Sequence, residues 1–291
     1  MSKDIFNKKW ITENAISVCG RYADGVLTIR SLHYQLVGLG MTNDENHYKR
    51  VVSAMIDARW DGLISFETFS DLDREMVGET AYEETDLDDI VQQGKENVDF
   101  WLNYYRKNRW ENQKYYPEVF IEKKALQGVF ADVCRRWDVA LGACKGYPSL
   151  TFLNNASKRF ITAGITKIPI VIYFGDYDCS GEDIPRSIEE NFSKFDIDVE
   201  VRRIALNEQQ VKEWHLPHAP TKKTDSRAAG WDGIGQVELD AVKPEMLMKL
   251  CDDALASIFD KDLYDDLRQI EKKERVEYRR ELKKFVNDLK D

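Results

Sequence analysis

The stretch IPIVIYFGDYDCSGEDIPRS, residues 168–187, decides the fold. Its first seven residues are nearly all apolar, with Pro169 as the one interruption, and they predict a buried β-strand. Gly175, Asp176 and Asp178 follow, and a helix-like segment comes next. Carboxylates at the end of a buried strand need water, a cation or hydrogen-bond donors. We therefore expect a polar site where this strand ends.

Strand-like and helix-like segments alternate on both sides of this stretch. Strands are predicted over 117–122, 138–144, 168–176 and 199–206, each followed by an amphipathic segment. Spacings of this kind fit right-handed crossovers between parallel strands with helices on both faces of the sheet. The sequence thus predicts an α/β fold of Rossmann-like type over 117–258.

Polar residues follow each predicted strand. Glu122 ends the first strand, Lys145 and Gly146 follow the second, and Asp176 with Asp178 follow the third. In open parallel sheets, ligands bind outside the carboxyl ends of the strands. Carboxylates gathered there repel one another, and Mg²⁺ or Mn²⁺ is the simplest group that neutralises them. The alternative is structural: the aspartates cap the next helix, and Glu122 pairs with a lysine.

The N-terminal part, residues 1–70, has the outline of a winged-helix DNA-binding domain. Helices are predicted over 8–23, 28–40 and 45–62, and LISFETF, residues 63–69, alternates like a strand. Many small helical domains share this outline. If it is correct, His47, Lys49, Arg50 and Arg59 of the third helix are candidate contacts to the DNA backbone.

Charge is unevenly distributed along the 291 residues, whose net charge is −10. Residues 71–100 carry 11 acidic and 2 basic side chains, whereas residues 101–170 carry 12 basic and 5 acidic ones. An acidic connector followed by a helix is therefore predicted over 71–116, with the acidic part at 71–99, and the acidic total does not exclude a DNA partner. The charged run 259–291 predicts a C-terminal helix suited to self-association.

The composition also bounds the location of the protein. The five cysteines are scattered without a C-x-x-C pair, which favours a reducing compartment and argues against a structural zinc site. No apolar run is long enough to cross a bilayer, and the charged start does not resemble a signal peptide. We expect a cytoplasmic, nucleoid-associated protein with no membrane partner.

Three stretches together resemble a Toprim domain: FIEKKALQGVF, GACKGYPSLTFLNNASKRF and IYFGDYDCSGEDI. They are most similar to the A subunit of topoisomerase VI and the related meiotic double-strand-break protein, in which a winged-helix domain precedes Toprim. The resemblance implies that Glu122, Asp176 and Asp178 bind the metal and that Lys145 assists. The family usually has proline where this chain has Cys179.

The same resemblance extends to TIRSLHY, residues 28–34. The family's nucleophile lies in a motif resembling Arg-x-x-Tyr-Tyr, and Arg30, His33 and Tyr34 stand at the matching positions. Tyr34 is thereby the implied nucleophile, and Arg30, one helical turn earlier, would hold the phosphate. The structural alternative is that Tyr34 is a half-buried aromatic residue between Leu32 and Leu36.

The resemblance implies a magnesium-dependent, DNA-cleaving homodimer that works by tyrosine transesterification. Two alternatives stay open: a stand-alone hydrolytic Toprim nuclease related to phages or defence, in which Tyr34 is structural, and a DNA-binding protein without catalysis. The predicted N-terminal domain leaves little room for the extension that binds an ATPase subunit in the family, so we expect no such partner.

Overall fold

The computed structural model of this protein describes residues 5–69, 86–164, 166–219, 231, 233 and 235–288. These residues fall into two compact units. The first comprises the described residues within Met1–Glu75 and Tyr115–Ile258, and the second those within Met76–Lys114 and Phe259–Asp291. Residues 71–85 of the predicted acidic connector lie outside the described part of the chain.

A parallel β-sheet forms the centre of the first unit. In the described residues its strands are β1 (Tyr115–Ile121), β2 (Ala140–Ala143), β3 (Ile168–Phe174) and β4 (Glu200–Ala205), in the order β2-β1-β3-β4. All neighbouring strands are parallel. Residues Ile170–Phe174 of β3 are fully buried, as expected for a strand covered on both faces. The α/β prediction is thus confirmed.

Helices cover both faces of this sheet. They are α5 (Gln127–Trp137), α6 (Leu150–Ala163), α7 (Cys179–Ser193), α8 (Glu208–Glu213) and α9 (Pro244–Ser257). Because side chains alternate along a strand, Tyr173 packs in the cluster formed with α6 and α7. Its neighbour Phe174 contacts Phe130 of α5, with ring centroids 4.7 Å apart. The result is a sheet between two helical layers.

The N-terminal part of the first unit is helical over residues 5–69, with α1 (Lys8–Cys19), α2 (Ile29–Gly38) and α3 (Glu45–Trp60) around a shared apolar core. The strand predicted over 63–69 is wrong. Phe66–Thr68 form a 3₁₀-helix instead, in which the Ser65 side chain accepts a hydrogen bond from the Glu67 amide. Only an isolated bridge between Leu27 and Phe69 is strand-like in this segment.

The second unit consists mainly of two long helices, α4 (Leu87–Asn103) and α10 (Lys261–Asp288). The buried Glu271 of α10 accepts a hydrogen bond from the Lys107 amide at 3.0 Å and one from Arg268 at 2.6 Å. The predicted C-terminal helix is therefore present over Lys261–Asp288. In the described ranges, we find no helix with both the length and the apolar character that a membrane span requires.

Candidate active site

The ends of β1 and β3 bring Glu122 and Asp176 together. Ile121 pairs with Phe174, and the Glu122 amide donates to the Phe174 carbonyl oxygen at 2.9 Å. The chain beyond Phe174 then passes the Glu122 side chain, whose Oε2 accepts the Asp176 amide at 2.8 Å. The expectation that these two residues meet at one edge of the sheet follows directly from the parallel register.

Asp178 has a structural role in addition to its position at this edge. It is the N-cap of α7, and its Oδ1 accepts the Gly181 amide at 2.6 Å. Burial raises the pKa of Glu122, and the negative charge of Asp178 raises it further. The hydrogen bond from the Asp176 amide lowers this pKa and so opposes the rise. Glu122 and Asp178 are therefore mutually repelling carboxylates that a cation would stabilise.

Asp176 is buried, and both of its carboxylate oxygens have partners. Oδ2 lies 3.0 Å from the Lys123 ammonium, and Oδ1 accepts the Leu239 amide at 2.7 Å. Burial raises the pKa of Asp176, and the charge of Glu122 raises it further, whereas Lys123 opposes the rise. A metal ion bound to Asp176 would compete with the Lys123 ammonium for the charge of this carboxylate.

Lys123 is the centre of an ion cluster that also contains Glu238 and Asp240. Its Nζ lies 3.0 Å from Asp176, 3.0 Å from Glu238 and 3.1 Å from Asp240. Although burial opposes it, the three carboxylates raise the pKa of Lys123. The ammonium thus neutralises charge that would otherwise be costly in this buried position.

Arg30 extends the ion cluster to helix α2. Its Nη1 lies 2.6 and 2.7 Å from the two carboxylate oxygens of Glu238. Thr28, the N-cap of α2, donates from Oγ1 to Asp240 at 3.1 Å. The segment before α9 therefore connects the N-terminal helices to the edge of the sheet.

Sequence reasoning missed Glu238 and Asp240. In VELDAV, residues 237–242, the two carboxylates are spaced two apart, as in Asp176 and Asp178, and alternate with buried apolar residues. The segment is held in place by an antiparallel bridge in which Tyr177 and Val237 exchange amide hydrogen bonds of 2.8 and 2.9 Å. The alternation of carboxylates with apolar residues is the sequence signal that indicates this segment.

A cleft of about 670 Å³ opens beside the ion cluster. Its lining includes three cations, Arg30, Arg59 and Lys123, and three carboxylates, Asp176, Glu238 and Asp240. The guanidinium carbon of Arg59 lies 5.9 Å from the ring centroid of Phe66 and 5.6 Å from that of Phe69.

Tyr34 lies on α2 one turn after Arg30 and is half-buried. Burial and the charge of Glu238 raise its pKa to about 12, whereas Arg30 and Lys123 oppose the rise. Among the described residues, none accepts a hydrogen bond from the phenol. Tyr34 is therefore protonated at neutral pH, and a base must remove its proton before it can attack.

The remaining predicted residues belong to the first unit but form none of the ion pairs of the cluster around Lys123. Lys145 follows β2 with φ of 57°, and its amide donates to the Glu122 carbonyl oxygen at 2.8 Å. On α3, the Lys49 ammonium lies 2.7 Å from the Glu45 carboxylate. Arg50 donates a hydrogen bond to the Phe6 carbonyl oxygen. His47 Nδ1 lies 2.7 Å from the Asp44 carboxylate. Of the four α3 candidates, Arg59 is the one that lines the cleft.

The carboxylates at the sheet edge fit a hard cation in a restricted way. Within the described ranges, no group of three His, Cys, Asp or Glu residues is arranged as a metal site. Glu122 and Asp178 nevertheless form a repelling pair, and Mg²⁺ commonly uses one or two carboxylates together with substrate phosphates. Glu122 and Asp178 are thus the carboxylates at this edge that could hold Mg²⁺ or Mn²⁺ while Asp176 keeps its ion pair with Lys123.

Comparison of the chain with protein-family models, curated proteins and solved structures found no match. The fold and the site define an α/β protein with an ion cluster at the carboxyl edge of its parallel sheet.

Proposed function

We propose that this protein is a DNA-cleaving enzyme of topoisomerase VI A-subunit type, with a winged-helix domain followed by a Toprim domain, and that it acts as a homodimer. The observation that carries the proposal is the chain of ion pairs from Arg30 through Glu238 and Lys123 to Asp176. It holds the helix of Tyr34 beside the strand-end carboxylates. A tyrosine, an arginine and acidic metal ligands are the groups needed for cleavage through a phosphotyrosyl link.

In the proposed reaction, the Tyr34 oxygen forms a bond to phosphorus and the bond to the 3′ oxygen breaks. The phenol proton passes to a base, and the leaving oxygen receives a proton. Arg30, which already lines the cleft, orients the phosphate by charge-assisted hydrogen bonds. Glu122 and Asp178 would hold Mg²⁺ or Mn²⁺, which supplies electrostatic stabilisation of the phosphate oxygens when bound. Lys145 is a further candidate for phosphate contact.

One observation favours a second candidate function, a hydrolytic nuclease. The Tyr34 phenol has a raised pKa and no hydrogen bond to any described base. In that reaction water attacks the phosphate, and Tyr34 contributes packing alone.

Incubation of supercoiled plasmid with Mg²⁺ or Mn²⁺, followed by a detergent quench, tests both functions. For transesterification we expect covalent protein–DNA adducts from the wild type and from Tyr22→Phe, but none from Tyr34→Phe. Tyr22→Phe is a matched control because it removes another N-terminal phenol hydroxyl, which bonds Glu245 at 2.8 Å.

Nicking that persists in Tyr34→Phe but is lost in Glu122→Gln and Asp178→Asn supports hydrolysis instead. DNA binding without cleavage in any variant contradicts both functions. Light scattering of the purified protein tests the proposed homodimer.

A further inference from the structure

A second cavity lies beside Tyr34. Its volume is about 360 Å³, within the range of small-ligand pockets. Tyr34 and Trp214 supply aromatic rings, while Leu39 and Met246 supply apolar surface. The cavity therefore suits a planar, partly apolar group.

The charge of this cavity contrasts with that of the cleft. Arg21 and Lys243 line it, and none of the described residues in its lining carries a carboxylate. Both cations are exposed, and neither forms an ion pair with another described residue. In a chain of net charge −10, a cavity with two unpaired cations and no acid is complementary to an anionic ligand.

The wall that carries Trp214 is formed before any ligand binds. His215, with φ of 51°, ends α8 in the left-handed conformation, and its amide donates to the Lys212 carbonyl oxygen at 3.3 Å. The Leu216 amide donates to the Val211 carbonyl oxygen at 3.1 Å. These bonds satisfy carbonyl groups at the helix end and direct residues 214–217 towards the cavity.

We propose that this cavity binds one nucleotide of the DNA strand that Tyr34 attacks. Its base packs against the rings of Tyr34 and Trp214, and its phosphate contacts Arg21 and Lys243. A nucleotide combines the planar ring and the negative charge for which the cavity is suited. The inference rests on the proposed function in that it takes the ligand to be a DNA strand.

Fluorescence titration with a single-stranded oligonucleotide containing 2-aminopurine tests this inference, with EDTA present so that no cleavage occurs. We expect Arg21→Gln combined with Lys243→Gln to weaken binding by about tenfold or more, since charge-assisted hydrogen bonds are lost. Lys249→Gln is the matched control: it removes a cation from α9, the helix that Lys243 precedes, but one that already pairs with Asp253 at 2.5 Å. Unchanged affinity in the double variant overturns the inference.

A second variant acts on shape instead of charge. Met246→Trp fills the cavity and is expected to weaken oligonucleotide binding, with folding checked by circular dichroism. Trp214→Leu is expected to reduce the quenching of 2-aminopurine on binding. If both variants bind and quench like the wild type, the base does not occupy the cavity and the proposal fails.

Deoxyadenosine monophosphate as a competitor separates the two sources of a nucleotide. Strong displacement of the oligonucleotide by the free monophosphate overturns the assignment to a DNA strand. Plasmid cleavage is scored separately. If the cavity variants weaken oligonucleotide binding but the wild type cleaves no plasmid, the proposed function alone is contradicted. If the wild type cleaves plasmid but the cavity variants bind the oligonucleotide normally, this inference alone is contradicted.

Discussion

At the scale of single residues, His33 makes stability depend on pH. It is buried, and neither ring nitrogen has a hydrogen-bond partner among the described residues. Burial lowers the pKa of His33 below the usual 6.5. The charges of His47 and Arg30 lower it further, whereas Asn43 and Asp44 raise it. His33 is therefore neutral in the folded protein, and protonation favours the unfolded chain.

The sign follows from the lowered pKa. The contribution of neutral His33 is fully present above pH 6.5 and is lost as pH falls below that value. At one pH unit below the pKa of histidine in the unfolded chain, we expect the free energy of unfolding to fall by up to about 1.4 kcal/mol. Urea unfolding at several pH values measures it. His33→Leu should remove this pH-dependent loss of stability, whereas substitution of the exposed His218 in His218→Asn should retain it. A loss of equal size in His33→Leu would contradict the assignment to His33.

Residue identities predicted one part of the site and missed another. Glu122 and Asp176 were predictable because parallel strands place their carboxyl ends at one edge, whatever the loops do. Glu238 was not predictable, because its position depends on a bridge between Tyr177 and Val237 that are 60 residues apart in sequence. The pairing of Asp176 with Lys123 has the same origin: it depends on side-chain placement that periodicity does not encode.

At the scale of elements, the sequence predicted the strands of the sheet better than the segment after α3. Apolar runs such as Ile168–Phe174 bury both faces and permit few alternatives. In the described part of the chain, residues 63–69 pair only through the single bridge between Phe69 and Leu27, and an isolated strand is not stable. Ser65 instead caps a 3₁₀-helix, and Phe66 packs on Trp60 with ring centroids 5.2 Å apart.

Packing between elements predicts opposite effects at two helical glycines. A Cβ at Gly128 of α5 would lie 2.0 Å from the Gly25 carbonyl oxygen, a backbone atom, whereas a Cβ at Gly94 of α4 meets no atom within 4 Å. Gly128→Ala must displace the loop before α2 and is expected to cost about 3 kcal/mol, at the upper end of overpacking. Gly94→Ala is expected to stabilise by about 0.5–1 kcal/mol.

Urea unfolding of both variants, followed by circular dichroism, measures these effects. Because the two substitutions have the same chemistry, helix propensity alone would stabilise both proteins. Stabilisation by Gly128→Ala would therefore show that the loop around Gly25 does not lie against α5.

At the scale of the whole molecule, the net charge of −10 limits how strongly DNA can be held. Local cations must supply the contacts. The charge of Lys49 is already paired with Glu45, and among the described residues Arg30 pairs with Glu238 through Nη1 alone, which leaves the rest of its guanidinium for a phosphate. Arg59 is stacked on aromatic rings and forms no ion pair with any described residue, so its charge can reach a phosphate. Few phosphate contacts imply a weak dependence of affinity on salt.

If the protein binds duplex DNA as proposed, Arg59 and Lys49 of the same helix should differ in their effect on that salt dependence. Arg59→Gln is expected to reduce the slope of log affinity against log salt by about 1, the value for one phosphate contact. Lys49→Gln should leave the slope nearly unchanged, because its charge is already paired 2.7 Å from Glu45. Fluorescence anisotropy between about 50 and 200 mM salt measures both slopes. Equal slopes for wild type and Arg59→Gln would place the DNA away from the cleft, whereas a reduced slope in Lys49→Gln would place it along the exposed face of α3.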